Sequence, residues 1–243
     1  MERPHLLVAL AHPDDETFIC GGGLAAFAAA GGRVDLVCAT RGEHGRRLGK
    51  PPFCTRETLP DVREAELRAA CAALGIEGLH LLGLRDKCLE FEDLDALAAA
   101  VARHIRALRP EAVLTFHERR GGHTDHCTIG RAAELAWRRA GDPAWHPELG
   151  QPHAASRLYF LAGRDIFERH GAPPEARTDV DCSGVAERLL AAHRAHRSQT
   201  QLDAGLWGDD DAVVARFRGR RETYQQAAAP FVPGERGLLG LGG

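Results

Sequence analysis

Residues 5–16 read HLLVALAHPDDE, a short apolar run that ends abruptly in histidine, proline and three acids. A run of this length, without polar alternation, suits a strand buried on both faces of a parallel sheet. Segments of the same kind recur at Arg33–Ala39 (RVDLVCA), Leu79–Leu84 (LHLLGL), Ala112–Phe116 (AVLTF) and Arg157–Ala162 (RLYFLA), each bounded by glycine, proline or charge. Between them, Gly23–Ala30, Leu59–Leu74 and Leu94–Leu108 have helical composition or spacing. In the last, Leu94, Leu97, Val101, Ile105 and Leu108 fall three or four apart and line one face. Strands alternating with helices predict a Rossmann-like, doubly wound, mostly parallel α/β sheet with right-handed crossovers. Ligands of such sheets bind at the carboxyl ends of the strands, so chemistry is to be sought just after each strand.

The pattern changes after about residue 140. Gly, Pro and His crowd 141–153, another loop is expected at 170–178, and a charged helical stretch runs from Gly184 to His196. A chain of 243 residues that is 44% hydrophobic can bury one core of generous size. The expected organisation is a single domain over 1–243: a core at about 5–140, a C-terminal extension at about 141–229 shaping one wall of a site, and a flexible tail at 230–243. Lys and Arg (31) nearly balance Asp and Glu (34), which leaves no basic face for nucleic acid. Nothing approaches the ~18 apolar residues that a bilayer span needs. Leu6–Ala11 is too short for a secretory core and runs straight into charge, so the expected compartment is the cytoplasm. The seven cysteines are odd in number and include no Cys-x-x-Cys pair, so neither a disulfide framework nor a thiolate zinc site follows.

His12, Asp14, Asp15 and Glu16 follow the first strand directly. Adjacent carboxylates at the end of a buried strand repel one another and resist desolvation unless a cation neutralises them or water reaches them. A divalent metal meets that need. His12 and Asp15 offer a nitrogen and an oxygen ligand of the types zinc accepts, and Asp14 is left free beside the ion to act on water. The competing reading is an Asp-rich turn that caps the following helix. A second segment, His123-Thr124-Asp125-His126 after Ala112–Phe116, tips the balance toward the metal. With a helix beginning near Thr124, the two histidines lie close together at its mouth. One of them can complete a set of two imidazoles and one carboxylate with open positions, the mark of catalytic zinc. Asp125 can hold the other imidazole in its protonated form.

With Ala11-His12-Pro13-Asp14-Asp15-Glu16 and the H-x-x-H segment at His123–His126, the sequence resembles the PIG-L/LmbE superfamily of metal-dependent N-deacetylases. Thr40-Arg41-Gly42-Glu43, Arg63-x-x-Glu66, Asp86 and Ala195-His196-Arg197-Ser198-Gln199 also match, so the likeness covers about residues 5–200. The resemblance implies His12, Asp15 and His126 as ligands of a divalent ion, usually Zn2+, although nitrogen and oxygen ligands also suit Fe2+ or Mn2+. It implies Asp14 as the general base that then passes its proton to the departing amine, and a cationic His123, held by Asp125, as the stabiliser of the oxyanion. Arg63 and Asp86 match positions associated with contacts to the sugar or to its attached group. The implied substrate is a small N-acetylglucosamine conjugate, such as a low-molecular-weight thiol precursor or a secondary-metabolite sugar. The resemblance also makes a homo-oligomer an option, with no surface singled out.

Other features are set aside at this level. Gly21-Gly22-Gly23 lacks the G-x-G-x-x-G and Walker patterns, so it reads as helix packing or a turn, which speaks against a nucleotide-binding protein. Cys127 reads as a small buried residue, Glu43 as a nearby acid or a loop carboxylate, and His193 and His196 as a site rim or solvated face. The remaining alternatives are an amidase for a larger acyl group and a metal-binding relative without turnover.

Overall fold

In the computed structural model, residues 3–52, 54–118, 122–162, 173–227 and 237–242 are described. Seven strands, β1 (His5–Leu10), β2 (Arg33–Thr40), β3 (Gly78–Leu84), β4 (Ala112–Phe116), β5 (Arg157–Leu161), β6 (Arg177–Asp181) and β7 (Arg221–Gln226), form one sheet in the order β3-β2-β1-β4-β5-β7-β6. β1 through β5 run parallel, and β7 is antiparallel to both β5 and β6. The chain starts in the middle, winds outward through β2 and β3, then returns to place β4 against the other side of β1. The direction of winding thus reverses between β1 and β4, and such a switch point opens a crevice at the carboxyl ends of the strands.

The helices are α1 (Asp15–Phe18), α2 (Gly21–Ala29), α3 (Leu59–Leu74), α4 (Leu94–Leu108), α5 (Thr124–Arg139), α6 (Ala186–Ala195), α7 (Arg197–Thr200) and α8 (Asp210–Phe217). α4 packs on α5, which in turn covers β4 and β1; α2 lies against β2, β6 and β7, and α3 packs on α6. Sandwiched in this way, every residue of β1 is buried, as its unbroken apolar run requires. β3 at the sheet edge is largely half-buried. α3 stops at Gly75, whose φ of +84° gives the left-handed cap that glycine supplies without strain. Among the described residues, no helix is long and apolar enough to cross a membrane.

The five strands expected from the sequence are present. β6 and β7 are additions, and β6 begins inside the stretch expected to be loop at 170–178, of which 170–172 lies outside the described residues. β7 reads RETYQQ and still buries Glu222, Tyr224, Gln225 and Gln226. Its polar groups have a structural use. Glu222 accepts the backbone N–H groups of Gly22 (3.0 Å) and Gly23 (2.7 Å), and the Tyr224 hydroxyl donates to it at 2.6 Å. A carboxylate therefore satisfies the positive N-terminus of α2 from within the fold. A Cβ on Gly23 would collide with the Tyr224 hydroxyl, which accounts for the glycine run as helix packing. Most of the expected tail, 230–236 and 243, lies outside the described residues.

Candidate metal centre

β1 ends at Leu10, and the next five residues bend the chain across the carboxyl edge of the sheet. Asp14 has φ of 107°, in the region that side chains with a Cβ rarely adopt. Such a residue costs ~1–3 kcal/mol and persists only where its surroundings over-determine it. Here Glu16 accepts the Asp14 backbone N–H at 2.9 Å, and Arg63 donates both to the Pro13 carbonyl and to Asp14 Oδ2, the latter at 2.8 Å. Arg63 also donates to the Gly42 carbonyl at 2.9 Å.

α5 begins across the switch point, with His123 as its N-cap: the ring Nδ1 accepts the Asp125 backbone N–H. One turn in, His126 stacks flat on Phe116 at the end of β4, with ring centroids 4.1 Å apart and planes 8° apart. That stacking aims His126 Nε2 at His12 Nδ1, 3.2 Å away, and at Asp15 Oδ1, 3.1 Å away. Asp15 Oδ2 lies 3.6 Å from His12 Nδ1 and accepts the His12 backbone N–H at 2.9 Å. Two imidazole nitrogens and one carboxylate thus converge within 4.8 Å of one another. Two imidazoles and a carboxylate are the donor set of an open divalent site, so these residues fit a catalytic metal.

His12 also belongs to a second cluster, formed with Asp86, His123 and Asp125 on the far side of its ring. Its Nε2 lies 3.0 Å from Asp125 Oδ2 and 3.2 Å from Asp86 Oδ1. Those carboxylates are already engaged by backbone donors: Asp125 accepts from Lys87 N and Leu89 N, and Asp86 Oδ2 accepts from His44 N. Such contacts fix the ring of His12, whereas Asp15 Oδ1 has His126 Nε2 as its one polar side-chain partner among the described residues.

Several expectations are corrected here. Asp125 orients His12; its Oδ2 is 4.0 Å from His123 Nδ1, because that nitrogen is turned to cap the helix. His123, expected to be cationic, is instead pushed down in pKa, first by burial and then by the charge of His12. Arg63 and Asp86, expected to touch substrate, border the cavity, and each is only 3% exposed; both Asp86 oxygens and the two terminal nitrogens of Arg63 have partners within the protein, while Arg63 Nε is buried without a hydrogen-bond partner among the described residues. Glu66 accepts from Ser198 N and Ser198 Oγ, both at 2.6 Å. His193 and His196 are buried and face no solvent. Cys127 is half-buried and belongs to neither metal-capable cluster among the described residues.

The buried pair Glu16 and His196, joined at 2.6 Å, escaped sequence reasoning. Burial would raise the Glu16 carboxyl, but the His196 charge and hydrogen bond outweigh it and hold it low, while the same pairing raises His196. Glu16 was visible as the third acid of the motif, and His196 as part of the late Ala195–Gln199 match; nothing in the sequence joined them.

The cavity over this site has a volume of about 520 Å³ and is bordered by His12, Asp14, Asp15, His123 and His126, with Gln199 from the C-terminal extension. Its charge is unbalanced. Burial and then its neighbours Asp15 and Glu16 drive the Asp14 carboxyl up, against Arg63 and His196, to about 7. Burial opposes charge on His12, yet Asp125, Asp15 and Asp86 together raise it to about 11. The carboxylates thus demand a positive charge at His12, which a dication can supply in place of the proton.

Residues 7–137, more than half of the chain, match the family model described as PIG-L: GlcNAc-PI de-N-acetylase. The chain belongs to that family. It is 37% identical, over 83% of its length and 86% of the relative, to a Bacillus cereus protein named "Probable N-acetyl-alpha-D-glucosaminyl L-malate deacetylase 2". It is 30% identical to the 1D-myo-inositol 2-acetamido-2-deoxy-alpha-D-glucopyranoside deacetylase of Streptomyces scabiei, with 94% of this chain and 90% of that protein covered. Among solved structures, the N,N'-diacetylchitobiose deacetylase from Pyrococcus horikoshii shares the fold, with a TM-score of 0.73, 20% identity and coverage of 93% of this chain and 84% of that one.

Proposed function

We propose that the protein is a divalent-metal-dependent hydrolase that removes the N-acetyl group from an N-acetylglucosamine conjugate, with zinc as the ion and Fe2+ or Mn2+ as its competitors. The observation that carries this reading is the convergence of His12 Nδ1, His126 Nε2 and Asp15 within 4.8 Å beside Asp14, which no ligand role occupies. A bound divalent ion supplies Lewis-acid chemistry, making water nucleophilic at neutral pH and polarising the amide carbonyl.

The chain's own residues do the rest. Asp14, its carboxyl lifted to about 7, is basic enough to take the proton of the attacking water and acidic enough to return it to the leaving amine. A dication nearby favours the carboxylate and readies the base. Arg63 and Glu16 hold Asp14 in its left-handed conformation and so aim the carboxylate. His123, about one-third exposed at the cavity wall, donates toward the developing oxyanion. Asp125 and Asp86 fix the His12 ring, and Glu43, accepting the Asp86 backbone N–H at 2.8 Å, fixes Asp86 in turn. The extension belongs to the same catalytic domain in this reading, since His196 and Gln199 come from it.

The relatives' names support a sugar conjugate with malate or inositol as the attached group. Amine release from a panel of such conjugates, by chelator-treated protein with each metal restored, tests the proposal. Metal-dependent release of acetate and free amine is expected. Turnover of a larger acyl group alone would favour the amidase reading.

A further inference from the structure

Two cavities adjoin the catalytic one. The first, about 610 Å³, shares Asp14 and Gln199 with it and carries Phe18, Leu48 and Leu202. The second, about 500 Å³, shares His44 and Lys87 with it and is completed by Glu43, Arg56 and Arg85. The second is strongly basic for a chain of net charge −3.

Its charges are both placed and available. Lys87 follows Asp86, whose carboxylate touches His12, and its own backbone N–H donates to Asp125 at 2.7 Å, so the side chain is rooted directly at the metal centre. Arg56 donates through Nη1 alone to the Glu43 and Gly45 carbonyls, at 3.3 and 2.7 Å, which leaves the other edge of its guanidinium open. Arg85 and Lys87 are exposed, and neither has an ion-pair partner among the described residues. The one acid among the residues that line it, Glu43, is turned inward, with Oε1 on the Asp86 backbone N–H. Three cations against one carboxylate leave a surplus of two positive charges beside the catalytic cavity.

We infer that the pocket of Arg56, Arg85 and Lys87 is the subsite for the group attached to the sugar, and that it selects a conjugate bearing carboxylates over one bearing a neutral polyol. This rests on the deacetylase reading and deepens it. A dicarboxylate such as malate matches the surplus charge, whereas inositol offers only hydroxyls. Exposed pairs contribute modestly, so the two or three involved give about a tenfold preference. Being solvent-facing, the preference shrinks as salt rises.

The test compares kcat/KM for the N-acetylglucosaminyl conjugates of L-malate and of inositol, in wild type and in the double variant Arg85→Gln, Lys87→Gln. Wild type is expected to favour malate about tenfold, with the advantage falling between ~20 mM and ~300 mM KCl. In the double variant the ratio falls toward unity through KM, and Arg85→Lys retains it. A wild-type ratio near one, a preference for inositol, or a ratio unchanged in the double variant overturns the subsite. If neither conjugate is turned over, the deacetylase reading fails. Calorimetric binding of the two free-amine products then decides the subsite separately, with tighter binding of the malate compound supporting it and equal binding refuting it.

Discussion

β1 carries a histidine and aspartate cluster near each end, and the two are built on opposite principles. At the amino end, Asp35 of β2 is ringed by donors: His5 Nε2 at 2.8 Å, Arg33 Nε at 2.8 Å and His80 Nε2 at 3.1 Å. One carboxylate, one guanidinium and two imidazoles satisfy each other, and the cluster is complete as it stands. At the carboxyl end, Asp14, Asp15, Asp86 and Asp125 crowd around His12, His123 and His126, with Arg63 and the closed Glu16–His196 pair beside them. This cluster has too many acceptors and an open cavity, and it becomes balanced only when a cation enters. A buried His/Asp group is therefore not in itself a site; the unmet charge marks one.

The sharpest way to break this contrast is to remove the cation. Chelation, or His126→Ala, is expected to reduce amine release to background, with metal content measured by mass spectrometry falling from one ion per chain to none and activity returning after chelation when metal is restored. Retained turnover in the stripped protein would erase the distinction between the two ends. Next in size is Asp14→Asn, expected to lower kcat by about 10²–10⁴-fold while leaving bound metal unchanged. A variant that lost metal instead would make Asp14 a ligand. Asp125→Asn is expected to weaken metal affinity by about 10–100-fold, read from a competitive chelator titration, because it loosens the His12 ring.

The smallest effect on turnover belongs to the amino end. Asp35→Asn is expected to leave kcat unaltered but to cost about 2–4 kcal/mol in denaturant unfolding. Burial alone would raise the Asp35 carboxyl, but hydrogen bonds from His80, Arg33 and His5 hold it below the usual range. A carboxyl depressed in the folded state adds stability that is present above the ordinary carboxylate pKa and lost as pH falls through the lowered value. The wild-type advantage over Asp35→Asn is thus expected to be full at neutral pH and to vanish in strong acid. A variant that lost activity in step with stability would contradict the division of roles.

How far each part was legible follows the same physics. β1 to β5 announce themselves because strands covered on both faces need unbroken apolar runs. β6 and β7 stay hidden because their polar residues are satisfied by partners far off in the chain, as Glu222 is by Gly22 and Gly23. In the site, acids and histidines concentrated after two strands were enough to nominate His12 and Asp15 with one of His123 and His126, the family resemblance pointed to His126, and the structure brings His12, Asp15 and His126 within 4.8 Å. Their supports were not legible. That Asp125 turns to His12, that Arg63 grips Pro13 and Gly42, and that His196 holds Glu16 are contacts between segments up to 180 residues apart, which spacing cannot reveal.

The most direct test is a metal titration of chelator-stripped protein, followed by amine release from an N-acetylglucosaminyl conjugate. The expected result is activity that rises linearly and saturates at one divalent ion per chain, with His12→Ala silent throughout. Full activity before any metal is added, or saturable metal binding that is unchanged in His12→Ala, would contradict the assignment of this cluster as the catalytic centre.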